Sequence, residues 1–258
     1  MDINCGTYLL RHTEKAVMQG KVSEEEDIDR ALINLFSVQL RLGLFDGNPK
    51  KLQYGDLGPQ DVCTKQHREI ALEAARQGLV LLKNEMGLLP LRKHNVYSLA
   101  LIGPAANKAG LLGGDYSGIP CNPVTFLDGL RDYVPSIRYA AGCADTSCLI
   151  ADGFDEAARV SRAADVVVVV VGLNLTEETE DHDRMSLLLP GKQRELVNDV
   201  AGASKKPLIL VLMGGGPLDV SFAKEDHRIG SILWIGYPGE VAGQVLAEAL
   251  FGEFNPGN

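Results

Sequence analysis

Residues 174–191 read NLTEETEDHDRMSLLLPG and carry five acids, Glu177, Glu178, Glu180, Asp181 and Asp183, beside His182 and Arg184. Carboxylates crowded in this way can do proton-transfer chemistry. Neighbouring negative charge disfavours ionisation, so one glutamate can stay protonated near neutral pH and act as a general acid. Asp183 and Arg184 are adjacent and of opposite charge, a pair able to stiffen the loop through charge-assisted hydrogen bonds. The competing reading is a solvated surface loop. Position favours chemistry, because the loop directly follows VVVVVVGL, the most continuous apolar run in the chain.

Other chemistries lack their residues. The histidines at 12, 67, 94, 182 and 227 are scattered, and the cysteines at 5, 63, 121, 143 and 148 fit no zinc spacing, so no metal is expected. Cys143 and Cys148 can close a short disulfide loop or remain two thiols, and the odd total leaves at least one thiol unpaired. No G-x-S-x-G nucleophile elbow occurs. LLGGDYSGIP and GGGPLD are glycine-rich, but neither carries a dinucleotide or Walker fingerprint. A nucleotide-binding domain is therefore the weakest of the functional readings. Asn174-Leu175-Thr176 is a glycosylation sequon, which matters only in a secreted protein.

The elements that must position the acidic loop follow from periodicity. Ser23 and Glu26 form a capping box ahead of a helix whose apolar face is Ile28, Ala31, Leu32, Leu35 and Phe36, ending at Gly43. FDGNPKKLQYGDLGP then reads as a linker. From about residue 61, helical segments alternate with short apolar runs: LVLLKN, VYSLALIG, SIRYAAG, DVVVVVVGLN, PLILVLMGG and IGSILWIGY. Such runs suit strands buried on both faces of a mostly parallel sheet covered by helices, an α/β architecture. Ligands of open parallel sheets sit beyond the carboxyl ends of the strands. The segments after LALIG, after the valine run and after LILVLM should therefore converge on one rim.

Bulk properties narrow the partners. With 258 residues, 45% of them hydrophobic, the chain can bury a sizeable core. A net charge of −9 argues against nucleic acid and against an anionic membrane surface. No apolar run approaches the roughly 20 residues of a membrane span. The start, MDINCGTYLL, has neither the basic nor the long apolar part of a secretory signal.

Six motifs occur in order: LLKNEMGLLPL, ALIGPAAN, GDYSGIPC, ETEDHDRMSLLLPGKQRELV, GGGPLDVSFAK and ILWIGYPGEVAGQVLAEALFGEFNPGN. Together they resemble glycoside hydrolase family 3, in its plant-type β-D-xylosidase/α-L-arabinofuranosidase branch. The resemblance implies a remnant of the end of a (β/α)8 barrel over residues 1–44, a linker over 45–60, and the family's six-stranded α/β sandwich over 61–258. It implies a retaining exo-glycosidase acting on β-1,4-xylosides, or on α-L-arabinofuranosides, in xylan breakdown, without cofactor, and secreted to the cell wall in the parent family. The family's acid/base loop has the pattern Glu-x-Glu-Gly-x-Asp-Arg. Here it reads Glu178-Thr179-Glu180-Asp181-His182-Asp183-Arg184. Glu178 is the expected acid/base and Glu180 the close second, with Asp183 and Arg184 bracing the loop or touching substrate. Asp181 replaces the usual glycine. A retaining glycosidase needs a second carboxylate roughly 5–5.5 Å away as nucleophile. The family's nucleophilic aspartate lies on a barrel strand that this sequence does not contain. The chain is thus expected to be inactive alone and to leave the first segment's apolar faces uncovered. The alternative is a non-catalytic sugar-binding or partner-docking α/β domain.

Overall fold

The structure is a computed structural model and describes residues 1–257. It divides into two compact units, Met1–Val62 and Cys63–Asn258. The first holds α1 (Tyr8–Met18), α2 (Asp29–Arg41) and the short α3 (Pro59–Val62). A single five-residue turn of wider pitch, Glu24–Ile28, leads into α2. Ser23 Oγ accepts the Glu26 amide at 3.2 Å, as the capping box requires. The return bond to the Ser23 amide comes from Asp27, at 3.0 Å, and not from Glu26, because the wider turn brings the following residue over the cap. Neither α1 nor α2 buries a residue. Leu10, Met18, Ile33 and Leu42 are each more than 60% exposed.

The second unit begins with α4 (Lys65–Gly78) and builds a single sheet of β1 (Val80–Asn84), β2 (Ser98–Ile102), β3 (Ser136–Ala140), β4 (Val166–Gly172), β5 (Leu208–Met213) and β6 (Ile229–Gly236). The strand order is β1-β6-β5-β4-β2-β3. Every pairing is parallel except β1 with β6. The crossover helices are α5 (Phe126–Arg131), α6 (Phe154–Ala163), α7 (Gln193–Ala203) and α8 (Ser221–Lys224), and α9 (Ala242–Phe251) closes the domain.

Alternation along the strands splits the core into two layers. Leu99, Leu101, Val168, Val170, Ile209 and Val211 face α4, α5 and α9. Ala100, Ile102, Val167, Val169, Leu210 and Leu212 face α6, α7 and α8. The uninterrupted apolar runs are thus strands with both faces buried. Arg76 on α4 makes a forked ion pair with Glu248 on α9, at 2.8 and 3.0 Å. The disulfides are Cys143–Cys148 and Cys63–Cys121, and Cys5 is the free, exposed thiol. The first was one of two open readings of the sequence. The second, between cysteines 58 residues apart, carries no local signal.

β2, β4 and β5 all run into a glycine: Gly103, Gly172 and Gly214, with φ of 137°, 134° and 157°. A Cβ on Gly103 would fall 1.9 Å from Val170 O, and one on Gly172 would fall 1.9 Å from Met213 O. Only glycine lets neighbouring strand ends approach so closely while the chain turns out of the sheet.

Candidate active site

The loops leaving β2, β4, β5 and β6 meet on one rim. The acidic loop leaves β4, whose last residue is clamped by Gln193, a fully buried side chain on α7. Gln193 Oε1 accepts the Gly172 amide at 2.7 Å, and its Nε2 donates to Gly172 O at 2.8 Å and to Thr146 O. Two residues on, Asn174 Oδ1 accepts from Thr176 N at 2.8 Å and Thr176 Oγ1 at 2.6 Å, while Asn174 O accepts the Glu177 and Glu178 amides. This side-chain turn starts the loop. It leaves Asn174 only 5% exposed.

A tight reversal follows, with Thr179 and His182 paired as an isolated antiparallel bridge. Asp181 takes a left-handed conformation, φ 62°. The physical reason for glycine in the resembling pattern is therefore visible here. Aspartate is one of the few other residues that tolerates this conformation.

The two leading glutamates point into different surroundings. Glu178 turns inward. Its Oε1 accepts from the Gly215 amide at 2.6 Å and from the Tyr237 hydroxyl at 2.8 Å. Its Oε2 lies 4.0 Å from Arg184 Nη1, and the Glu178 and Arg184 side chains are 19% and 14% exposed. Gly215 belongs to the turn after β5 and Tyr237 to the turn after β6. Burial, and then the Glu178 carboxylate, hold the Tyr237 phenol above its ordinary range, so it stays a donor. Glu180 turns outward and is exposed. The Tyr116 hydroxyl donates to its carboxylate. Asp115 holds the backbone beneath it, accepting from Thr179 Oγ1 at 2.7 Å and Glu180 N at 2.9 Å. Those hydrogen bonds keep the Asp115 carboxyl below its ordinary range, the Glu180 amide contributing most. Both residues sit on the glycine-rich segment after β2, where Tyr116 is left-handed, φ 58°.

Arg184 donates to Pro217 O at 2.9 Å and Ser186 O at 2.8 Å, fastening the far end of the loop to the β5 turn. Asp183 is exposed and makes no hydrogen bond or ion pair among the described residues, so Arg184 fastens the loop through main-chain oxygens without it. Asp183 instead lines a groove of about 390 Å³ with Glu178, His182, Met185 and Gly216. The rim and the acidic loop are legible in the sequence, whereas Asp115, Tyr116 and Tyr237 are not. The signal for these was weak: a polar or aromatic residue shortly after a glycine-terminated strand, in GGDYSG and GYPG.

A sequence profile described as the glycosyl hydrolase family 3 C-terminal domain matches residues 79–258. The chain is 62% identical to "Probable beta-D-xylosidase 6" of Arabidopsis thaliana over its whole length, which is 32% of that protein. It is 51% identical to "Beta-xylosidase/alpha-L-arabinofuranosidase 1" of Medicago sativa subsp. varia, covering 99% of the chain and 33% of the relative. It thus spans about a third of the relatives it matches. Among solved structures, a GH3 exo-β-xylosidase in complex with a xylobiose aziridine activity-based probe superposes with a TM-score of 0.86 and 36% identity, over 98% of this chain and 32% of that one. A β-glucosidase from Listeria innocua in complex with isofagomine gives 0.82 and 27%, over 99% and 35%.

Proposed function

The chain belongs to glycosyl hydrolase family 3, and from that premise we propose that it supplies the acid/base carboxylate of a retaining exo-β-xylosidase and that Glu180 is that carboxylate. The observation carrying this reading is the division of labour between the two glutamates. Both oxygens of Glu178 face groups of the folded domain. An acid/base needs an oxygen free to approach the glycosidic bond and then a water molecule. Glu180 is exposed on the rim with one phenolic partner, on a backbone fixed by Asp115. This reading favours the second expectation from sequence, Glu180, over the first, Glu178.

In the first step a nucleophilic carboxylate attacks the anomeric carbon while Glu180 gives its proton to the departing sugar oxygen. In the second, the Glu180 carboxylate takes a proton from the water that cleaves the glycosyl ester. The nucleophile comes from the barrel region of the family, outside the matched residues, so the chain by itself turns nothing over. β-1,4-Xylosides of cell-wall xylan outside the cell are the substrates, with α-L-arabinofuranosides as the second class. The names of the relatives support both. The two glycine-rich loops lend no support to a nucleotide site, since they approach carboxylates, Glu178 and Glu180, that would repel phosphate.

The test is hydrolysis of an activated aryl β-xyloside by the full-length polypeptide and its Glu180→Gln variant. The variant should lose about 10²–10⁴-fold in turnover. Azide should restore much of it as a glycosyl azide, because azide attacks the glycosyl-enzyme without needing a base. Unchanged turnover in Glu180→Gln would refute the assignment.

A further inference from the structure

The triple glycine after β5 has no role in the chemistry above, yet it is built around one side chain. Gly214 has φ 157°, and a Cβ on it would meet Leu173 at 2.9 Å. A Cβ on Gly215 would lie 3.4 Å from Glu178 Oε1 and 3.3 Å from the Tyr237 ring. One on Gly216 would lie 3.2 Å from Glu178 Oε2 and 3.5 Å from Arg184 Nη1. The turn is bare on the side where a carboxylate enters. Around that carboxylate stand a backbone amide at 2.6 Å, a phenolic hydroxyl at 2.8 Å and a guanidinium at 4.0 Å. These donors come from three different strand ends: Gly215 after β5, Tyr237 after β6, and Arg184 from the acidic loop itself. Hydrogen bonds to a carboxylate from a backbone amide and a half-buried phenol are of the stronger, charge-assisted kind.

We infer that Glu178 is a positioning residue: its carboxylate, seated in the Gly214–Gly216 turn, latches the acidic loop to the ends of β5 and β6 and so sets where Glu180 stands. One residue, Thr179, separates the latch from the acid. Asp115 grips the same short segment from the β2 side at Thr179 and Glu180. The segment between the two grips is held at both ends, and Glu180 is the side chain it presents. The inference rests on the reading of Glu180 as the acid/base for its catalytic consequence. The latch itself is a property of the folded chain and is measured separately.

The discriminating substitutions are Glu178→Gln and Glu178→Ala. A glutamine oxygen still accepts from the Gly215 amide and the Tyr237 hydroxyl; alanine accepts from neither. Hydrogen exchange at residue resolution on the 258-residue chain reads the latch without any turnover. The Gly215 amide should be protected in the parent and in Glu178→Gln, and exchange at least tenfold faster in Glu178→Ala. Equal exchange at Gly215 in all three proteins overturns the latch. In the full-length polypeptide, Glu178→Gln should keep kcat within about fivefold of the parent. Glu178→Ala should lose kcat tenfold or more, and azide should restore neither. An equal loss in Glu178→Gln and Glu178→Ala, with azide rescue of both, would make Glu178 itself the acid/base and overturn the inference. A full-length polypeptide inactive on every xyloside would defeat the functional reading alone, and the exchange result would still decide the latch.

Discussion

At the residue scale, the site depends on where each carboxylate finds its donors. Glu178, Glu180 and Asp115 are all acids on one rim, yet each has a different neighbourhood. The neighbourhood of Asp115 makes the stability of the loop depend on pH. Its carboxyl is held below the ordinary range by the Glu180 amide and the Thr179 hydroxyl, so the folded loop binds a proton less readily than the unfolded chain. A depressed folded value means that the stabilisation is complete above the ordinary aspartate range, near about pH 4. It is lost as pH falls through the lower, folded value. Amides of residues 179–180 should therefore gain exchange, relative to the intrinsic rate, on acidification below about pH 4, and Asp115→Asn should remove that acid step. An acid step that persists in Asp115→Asn would place its origin elsewhere.

At the element scale, the acidic loop is only as well placed as the end of β4. Gln193 reaches from α7 to satisfy both backbone groups of Gly172, in a spot with no access to water. Gln193→Ala takes this partner from one buried amide, Gly172 N, and two buried carbonyls, Gly172 O and Thr146 O. Each such group costs about 1–3 kcal/mol. The variant should lose about 3 kcal/mol of stability in urea denaturation, taking the three groups as partly relieved by relaxation. A loss under about 1 kcal/mol would mean that the strand end reseals without the clamp. The glycines ending β2, β4 and β5 belong to the same scale. They let three parallel strands finish side by side with their loops turned to one rim, which is what brings Asp115, Glu178 and Gly215 within reach of one another.

At the scale of the whole molecule, the long-range tie is the Cys63–Cys121 disulfide. It joins the segment before α4 to the loop carrying Asp115 and Tyr116, and Glu240 accepts the Cys121 and Asn122 amides beside it at 2.9 and 3.2 Å. Closing a loop of 58 residues is worth about 4 kcal/mol by chain entropy. Cys63→Ser with Cys121→Ser should lower stability by a few kcal/mol and mobilise residues 113–122 first, seen as faster exchange there than in β4 or β5. Uniform loosening of the whole domain would contradict a local role. The first unit presents a different situation, with helices that bury no residue and a row of exposed leucines.

All six strands and the longer helices between them were legible in the order of the sequence, because strands buried on both faces must be apolar at every position and helices must repeat every three to four residues; the four-residue α8 is too short to show such a repeat. The acidic loop was legible too, as charge placed immediately after the most apolar strand, and its family pattern named two glutamates. What the sequence could not decide was which glutamate faces inward. The side that each takes is set by donors 37 and 59 residues away, at Gly215 and Tyr237. Nor could spacing reveal the Cys63–Cys121 bond or Asp115's grip on Glu180, which join segments brought together only when the sheet closes. The sequence by itself determined the elements and the kind of chemistry, since both follow from local residue types. The tertiary structure alone decided the surroundings of individual carboxylates, since their donors come from segments far apart in the chain.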